Sequence, residues 1–122
     1  MRQTTLVITE TQFQQQVIDL AHLTGWTVAH FRAAKVIIKG VETYRTPVQA
    51  DGKGFPDLVL VKPPRVLFIE LKSESGQASP EQVAWLLLLG KCPGIETYCW
   101  KPSQWDEIVE ILRRERVNGQ TK

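Results

Sequence analysis

Two prolines inside the most β-rich stretch of this chain constrain its fold more than any other feature. Leu58-Val59-Leu60-Val61 and Val66-Leu67-Phe68-Ile69 are short apolar runs separated only by Lys62-Pro63-Pro64-Arg65. Two such runs about a short break read as the antiparallel strands of one hairpin. Proline cannot take positive φ, so a two-residue primed turn is disfavoured and a four-residue loop from Lys62 to Arg65 is expected. Either loop has the same centre. A register symmetric about it sets Asp57, which closes Gly54-Phe55-Pro56-Asp57, opposite Glu70 of Glu70-Leu71-Lys72. Directly opposed residues have Cβ atoms about 4.5–5.5 Å apart, and like charges there repel. Two carboxylates so placed call for a cation between them. Lys72, two residues after Glu70, projects from the same face of the strand.

Each fragment alone has a plain explanation. An Asp after a Pro is often a turn residue, and a Glu-x-Lys at a strand end is often a solvated ion pair. Brought onto one face by one register, Asp57, Glu70 and Lys72 form the outline of a metal-dependent phosphodiesterase. Hard divalent cations prefer oxygen ligands, and Mg²⁺ uses one or two carboxylates with waters and substrate phosphate. Asp57 and Glu70 are therefore expected to hold Mg²⁺ or Mn²⁺. Lys72 is expected to orient the attacking water or to stabilise charge on the phosphoryl oxygens. No P-loop, Ser/His/Asp triad or base-reading motif is present, and no organic cofactor is expected.

The 122 residues suit a single domain spanning 1–122, with 43% hydrophobic and 23% charged residues as in ordinary globular proteins. No run of eighteen apolar residues suggests a membrane span, and Met1-Arg2-Gln3-Thr4-Thr5 carries no secretory signal. A cytoplasmic protein is the expectation. Cys92 and Cys99 make no disulfide framework and read as free thiols. A net charge of +2 permits nucleic-acid binding without demanding it. Lys35, Lys39, Arg45, Lys53 and Arg65 are candidate phosphate contacts, and Gly52, Gly54 and Gly76 offer bare backbone for close approach.

A first helix is expected from Glu10 to Thr24, capped by Thr9 with Gln12, its apolar face made by Phe13, Val17, Leu20, Ala21 and Leu23. Trp26 to Phe31 reads as a strand. Between Arg32 and Lys53 only Val36-Ile37-Ile38 has strand character, and glycine and proline break the rest into loop. After the hairpin, Ser79-Pro80-Glu81-Gln82 opens a helix to Leu89, apolar enough to pack heavily on the sheet. Ile95 to Trp100 is a further strand, and Pro102-Ser103 opens a last helix. The sum is an α/β fold with a mixed central sheet flanked by helices, in the order α-β-β-β-α-β-α. In this reading the four tryptophans pack in the core, and His22 and His30 are structural or solvent-facing rather than catalytic.

Taken together, these motifs resemble the PD-(D/E)xK nucleases, and most closely the small stand-alone VRR-NUC proteins of phages and bacteria. Glu10, Gly54, Pro56-Asp57, Glu70-Leu71-Lys72, Gly76, Gln82, Trp85 and the stretch Tyr98 to Trp105 carry the resemblance, which runs from about residue 9 to residue 112. It implies a restriction-endonuclease-like core and an endonuclease leaving 5′-phosphate and 3′-hydroxyl ends. It places Glu10 and the carbonyl of Leu71 beside Asp57 and Glu70 at the metal, and it brings Gln82 to the active site. Gln82 has a competing use, since as third residue of its helix it can complete a capping box with Ser79, and the two uses are expected to compete. The resemblance also implies a homodimer acting on branched DNA such as a four-way (Holliday) junction, where a two-fold dimer supplies two opposed cuts. The rival readings are an inactive nuclease-fold module that binds DNA or protein, and an enzyme acting on RNA.

Overall fold

The computed structural model describes residues 7–31, 34–45 and 48–115. In chain order the elements are α1 (Glu10–Leu23), β1 (Thr27–His30), β2 (Ala34–Ile38), β3 (Val41–Arg45), β4 (Leu58–Lys62), β5 (Arg65–Leu71), α2 (Pro80–Gly90), β6 (Ile95–Trp100) and α3 (Trp105–Arg113). A single 3-10 turn, Pro102–Gln104, precedes α3. Strands β1, β4, β5 and β6 form one sheet in that order. β1–β4 and β4–β5 are antiparallel, and β5–β6 is parallel. Within this sheet the expected order α-β-β-β-α-β-α holds. β2, which contains the expected strand Val36-Ile37-Ile38, pairs with β3, where loop was expected, in a separate two-stranded ribbon. Lys39 and Gly40, between Ile38 and its partner Val41, both have positive φ (51° and 78°). That is the requirement of a two-residue primed turn.

The hairpin register is the expected one, with Leu58 opposite Ile69 and Leu60 opposite Leu67. The loop is shorter than expected. Lys62 and Arg65 are themselves paired, so the connection is Pro63 and Pro64 alone, joined by a cis peptide bond.

Alternation along the strands sends Leu58, Leu60, Leu67, Ile69, Leu71 and Trp100 to one face. There they form a closed core with Phe13, Val17 and Ala21 of α1 and Ile108, Ile111 and Leu112 of α3. The first helix begins at a reciprocal cap: Gln12 N–H donates to Thr9 Oγ1 at 3.0 Å, and Thr9 N–H to Gln12 Oε1 at 2.9 Å. It ends at Gly25, whose φ of 92° suits glycine. Leu23 falls outside the stripe set by Phe13, Val17 and Ala21, and it faces solvent instead of the core.

The opposite face carries α2, which packs less heavily than expected. None of its residues is fully buried, and Val83, Leu87 and Leu88 are 43%, 65% and 59% exposed. Its half-buried residues Trp85, Leu86 and Leu89 turn away from solvent, and one short helix leaves its outer side uncovered.

Arg65, a candidate phosphate contact by sequence, is 1% exposed and works inside the protein. Its guanidinium donates to both carboxylate oxygens of Glu96 at 2.7 Å, and to the carbonyls of Ile111 at 2.8 Å and Arg114 at 2.7 Å. It also lies 5.0 Å from the ring of Trp26, whose Nε1 donates to the Leu112 carbonyl. Burial would raise the Glu96 pKa, but hydrogen bonds from Arg65 and Tyr98 and the Arg65 charge outweigh it and hold that pKa low. Breaking one partner of such a pair costs about 3–5 kcal/mol, while replacing both by apolar residues is often close to neutral. Arg65→Met should therefore lower the urea midpoint strongly, and Arg65→Met with Glu96→Leu should recover much of the loss. A single mutant as stable as wild type would show the pair to be incidental.

Candidate active site

Asp57 lies one residue before β4, and the ladder extended by that residue places it opposite Glu70. Since Leu58 and Ile69 face the core, both carboxylates lie on the α2 face. The backbone holds Asp57 from two sides. Its Oδ2 accepts the Leu71 N–H at 2.9 Å, and its carbonyl accepts the Phe31 N–H at 2.9 Å. Glu70 is 1% exposed. Its Oε2 accepts a hydrogen bond from Gln82 Nε2 at 2.8 Å and lies 3.5 Å from Lys72 Nζ. Its Oε1 is buried with no hydrogen-bond partner.

An unsatisfied buried acceptor is costly, and more so when charged. Burial first, then the charge of Asp57 and the hydrogen bond that a protonated Glu70 can give it, push the Glu70 pKa up to about 8, and Lys72 draws it down only in part. The carboxyl thus takes up either a proton or a cation. Among the described residues no group of three His, Cys, Asp or Glu side chains could hold a metal alone. Two carboxylates, one with a buried oxygen lacking a donor, suit a hard cation that draws its other ligands from water and phosphate.

Gln82 performs both jobs that the sequence set in competition. Its Oε1 accepts the Ser79 N–H at 2.8 Å and completes the capping box, while its Nε2 donates to Glu70. A primary amide carries an acceptor and a donor at opposite ends, so one side chain serves the helix start and the carboxylate together.

The family model described as VRR-NUC domain matches residues 8–101. The chain belongs to the VRR-NUC family. This is a PD-(D/E)xK nuclease domain, and the mixed sheet with flanking helices is consistent with its restriction-endonuclease-like core. The match ends before α3, so the stretch Pro102 to Trp105, read as part of the resemblance, lies beyond it. Nothing among the curated proteins or the solved structures matches. No helix among the described residues is long and apolar enough to cross a membrane.

The residues that the VRR-NUC resemblance placed at the site fall around it. Glu10 opens α1 half-buried, and its pKa is raised by burial, lowered by the charge of Lys72 and raised by that of Asp57. It therefore stands within electrostatic reach of both. Leu71 enters through its N–H, which Asp57 accepts.

The expected phosphate contacts divide. Lys53 and Lys39 are exposed on loops, and the side chain of Lys35 lies outside the described residues. Arg65 is committed to Glu96 at the other end of β5. Gly54 has a packing reason of its own. A Cβ there would meet Glu81 and the Gln82 nitrogen at 2.6 and 2.8 Å, so its bare backbone lies against the start of α2.

Lys101 was read only as part of the stretch Tyr98 to Trp105, with no place at the site. Leu71 pairs with Trp100, and the Lys72 N–H donates to the Trp100 carbonyl at 3.0 Å, which sets Lys72 and Lys101 side by side. The thiol of Cys99 is pushed up by burial and by Glu70, and drawn down by Lys72 and Lys101 together. The signal lies in the register of β6, which a helical crossover hides.

For metal-free protein the sign of the pH dependence follows. Between the ordinary carboxylate range and about 8, folded Glu70 keeps a proton that the unfolded chain has released. Stability should therefore fall as pH rises through that window, by on the order of a few kcal/mol, with no contribution from Glu70 to the slope on either side. Thermal melts in EDTA should show this slope in wild type, and Glu70→Gln should remove most of it and be the more stable at pH 8. A flat wild-type profile would contradict the burial argument.

Proposed function

We propose that this protein is a divalent-metal-dependent DNA endonuclease selective for branched DNA. The observation that carries the reading is the Asp57–Glu70 pair, with Glu70 buried, its Oε1 lacking any donor and Lys72 Nζ 3.5 Å from its Oε2. Asp57 and Glu70 would hold Mg²⁺ or Mn²⁺, with the Leu71 carbonyl as a further ligand and Glu10 on the ion or its waters. When bound, the ion supplies Lewis-acid polarisation of a phosphoryl oxygen and an activated water. Lys72 stabilises the negative charge that builds on the phosphoryl oxygens. Gln82 keeps the Glu70 carboxylate in one orientation. Lys101 adds a second positive charge beside Lys72, and the exposed Lys39 and Lys53 are further candidates for phosphate contact.

Labelled linear, flap and four-way-junction DNA incubated with Mg²⁺, Mn²⁺ or EDTA tests this. Cleavage should require metal. Asp57→Asn, Glu70→Gln and Lys72→Ala should each lower it by on the order of 10²–10³-fold or more without unfolding the protein. Gln82→Glu keeps the cap but turns a carboxylate toward Glu70, so it should lose activity and stay folded. Metal-independent cleavage, or full activity in Asp57→Asn, would end the reading.

The working species in this proposal is a homodimer, because two opposed cuts at a junction need two sites related by a two-fold axis. The exposed Val83, Leu87 and Leu88 of α2 support it as an apolar patch without cover. Val36-Ile37-Ile38, the other apolar stretch, has side chains outside the described residues. Light scattering should give twice the 13.9 kDa chain mass, and junctions should be cut faster than linear duplex. A constant monomer mass would sink the dimer, and equal rates on both substrates would sink the junction preference.

A further inference from the structure

We infer that Phe55 is a positioning residue of this site, its ring setting Asp57 against Glu70 and Gln82. The inference rests on the reading of Asp57 and Glu70 as the metal-holding pair. Phe55 stands two residues before Asp57, and its ring meets three others edge-on. They are Trp85 at 5.1 Å and 79°, Phe31 at 5.3 Å and 90°, and Phe68 at 6.0 Å and 89°.

Each of those rings belongs to a segment that carries part of the site. The Phe31 N–H holds the carbonyl of Asp57. Phe68 precedes Glu70 by two residues on β5 and shares its face. Trp85 follows Gln82 by about one turn of α2. Two hydrogen bonds tie the loop before Phe55 to the same cluster: the Phe55 N–H donates to the Gly52 carbonyl at 2.9 Å, and the side-chain Nε1 of Trp85 to the Asp51 carbonyl at 3.2 Å.

None of these four aromatic residues belongs to the closed core between the sheet and α1 and α3. The cluster lies on the face that carries the carboxylates, so its loss falls on the site before it falls on the fold. Edge-to-face contacts are directional, and a leucine cannot offer three ring partners the same hydrogen-rich edge and electron-rich face. Functional groups need placing to within about 0.5 Å, and a displacement of about 1 Å can cost on the order of 10²-fold in rate.

The test is Mn²⁺ binding by electron paramagnetic resonance, beside kcat and KM on DNA, for wild type, Phe55→Leu, Phe55→Tyr and Ile111→Val. Phe55→Leu should weaken Mn²⁺ binding about tenfold and lower kcat by about 10–10²-fold with KM for DNA little changed. Phe55→Tyr, which keeps the ring, should restore both. Ile111→Val, a change in the closed core, should lower stability and leave Mn²⁺ affinity alone. If Phe55→Leu does not fold, Trp85→Leu on half-exposed α2 removes one of the three contacts and should weaken Mn²⁺ binding in the same direction. Folded Phe55→Leu with wild-type Mn²⁺ affinity and kcat would overturn the inference and leave the nuclease reading standing. Wild type that binds Mn²⁺ no better than Asp57→Asn would overturn both.

Discussion

The guanidinium of Arg65 is the fixed point about which the sheet is arranged. A buried arginine needs acceptors for its donors, and the fold supplies them from three directions: the Glu96 carboxylate on β6, the carbonyls of Ile111 and Arg114 at the end of α3, and the Trp26 ring at the entrance to β1. None of these elements can slide along β5 without leaving a buried donor or charge unpaired, which is far costlier than leaving the pair intact. Tyr98 completes the arrangement by donating to Glu96 at 2.7 Å. Its own pKa is pushed up to about 12 by burial and by that carboxylate, so the donor stays protonated throughout the working pH range. This lock fixes the parallel register of β6, and with it the placement of Cys99 beside Glu70 and of Lys101 beside Lys72.

Five residues along the same strand, the second buried charge meets the opposite treatment. Arg65 has a partner in every direction. Glu70 has Gln82 and Lys72 on one oxygen and nothing on the other. Desolvation is comparable at both ends, since each residue is 1% exposed, so the contrast lies in the partners. A strand that satisfies one charge completely holds the backbone rigid enough to leave the other unsatisfied at a defined place. An unsatisfied buried group in a native protein calls for an explanation, and a chemical role is one. The strand therefore joins a structural end to the end proposed to be reactive.

The sequence showed the reactive end more clearly than the structural one. Asp57, Glu70 and Lys72 were legible because a hairpin register follows from local spacing, and period-two alternation then settles which side chains share a face. The caps of α1 and α2 were legible for the same reason, since their partners are three residues apart. Arg65 was misread because its role depends on Glu96, Ile111 and Arg114, all more than thirty residues away, and a lysine- and arginine-bearing turn looks like surface. β2 was legible in Val36-Ile37-Ile38, but its partner β3 was missed because Lys39-Gly40 lacks the usual Asn or Asp of a primed turn. The exposed side of α2 was missed because continuous hydrophobicity suggests burial on all sides, whereas only the number of neighbouring elements decides how much of a helix is covered. Gly54 and Gln82 were singled out for function, and the contact between them is a packing contact that the sequence could not show.

That contact explains why α2 begins where it does. The backbone of Gly54 meets the helix at Glu81 and Gln82, where any side chain would collide. The Gln82 amide is then fixed at both ends, by the Ser79 N–H and by Glu70. Asparagine is one methylene shorter and could not span both partners. Glutamate could accept from Ser79 but has no donor for Glu70 above its own pKa. Glutamine is the side chain that couples the first turn of α2 to the carboxylate, so fraying of this helix and reorientation of Glu70 become one event. With Asp57 anchored by the Leu71 N–H, the two carboxylates are held by unrelated means, one by the strand it faces and the other by the helix above it. Their separation thus depends on how α2 seats over the sheet, where Trp85 of the helix reaches Phe68 of β5 by way of the Phe55 ring.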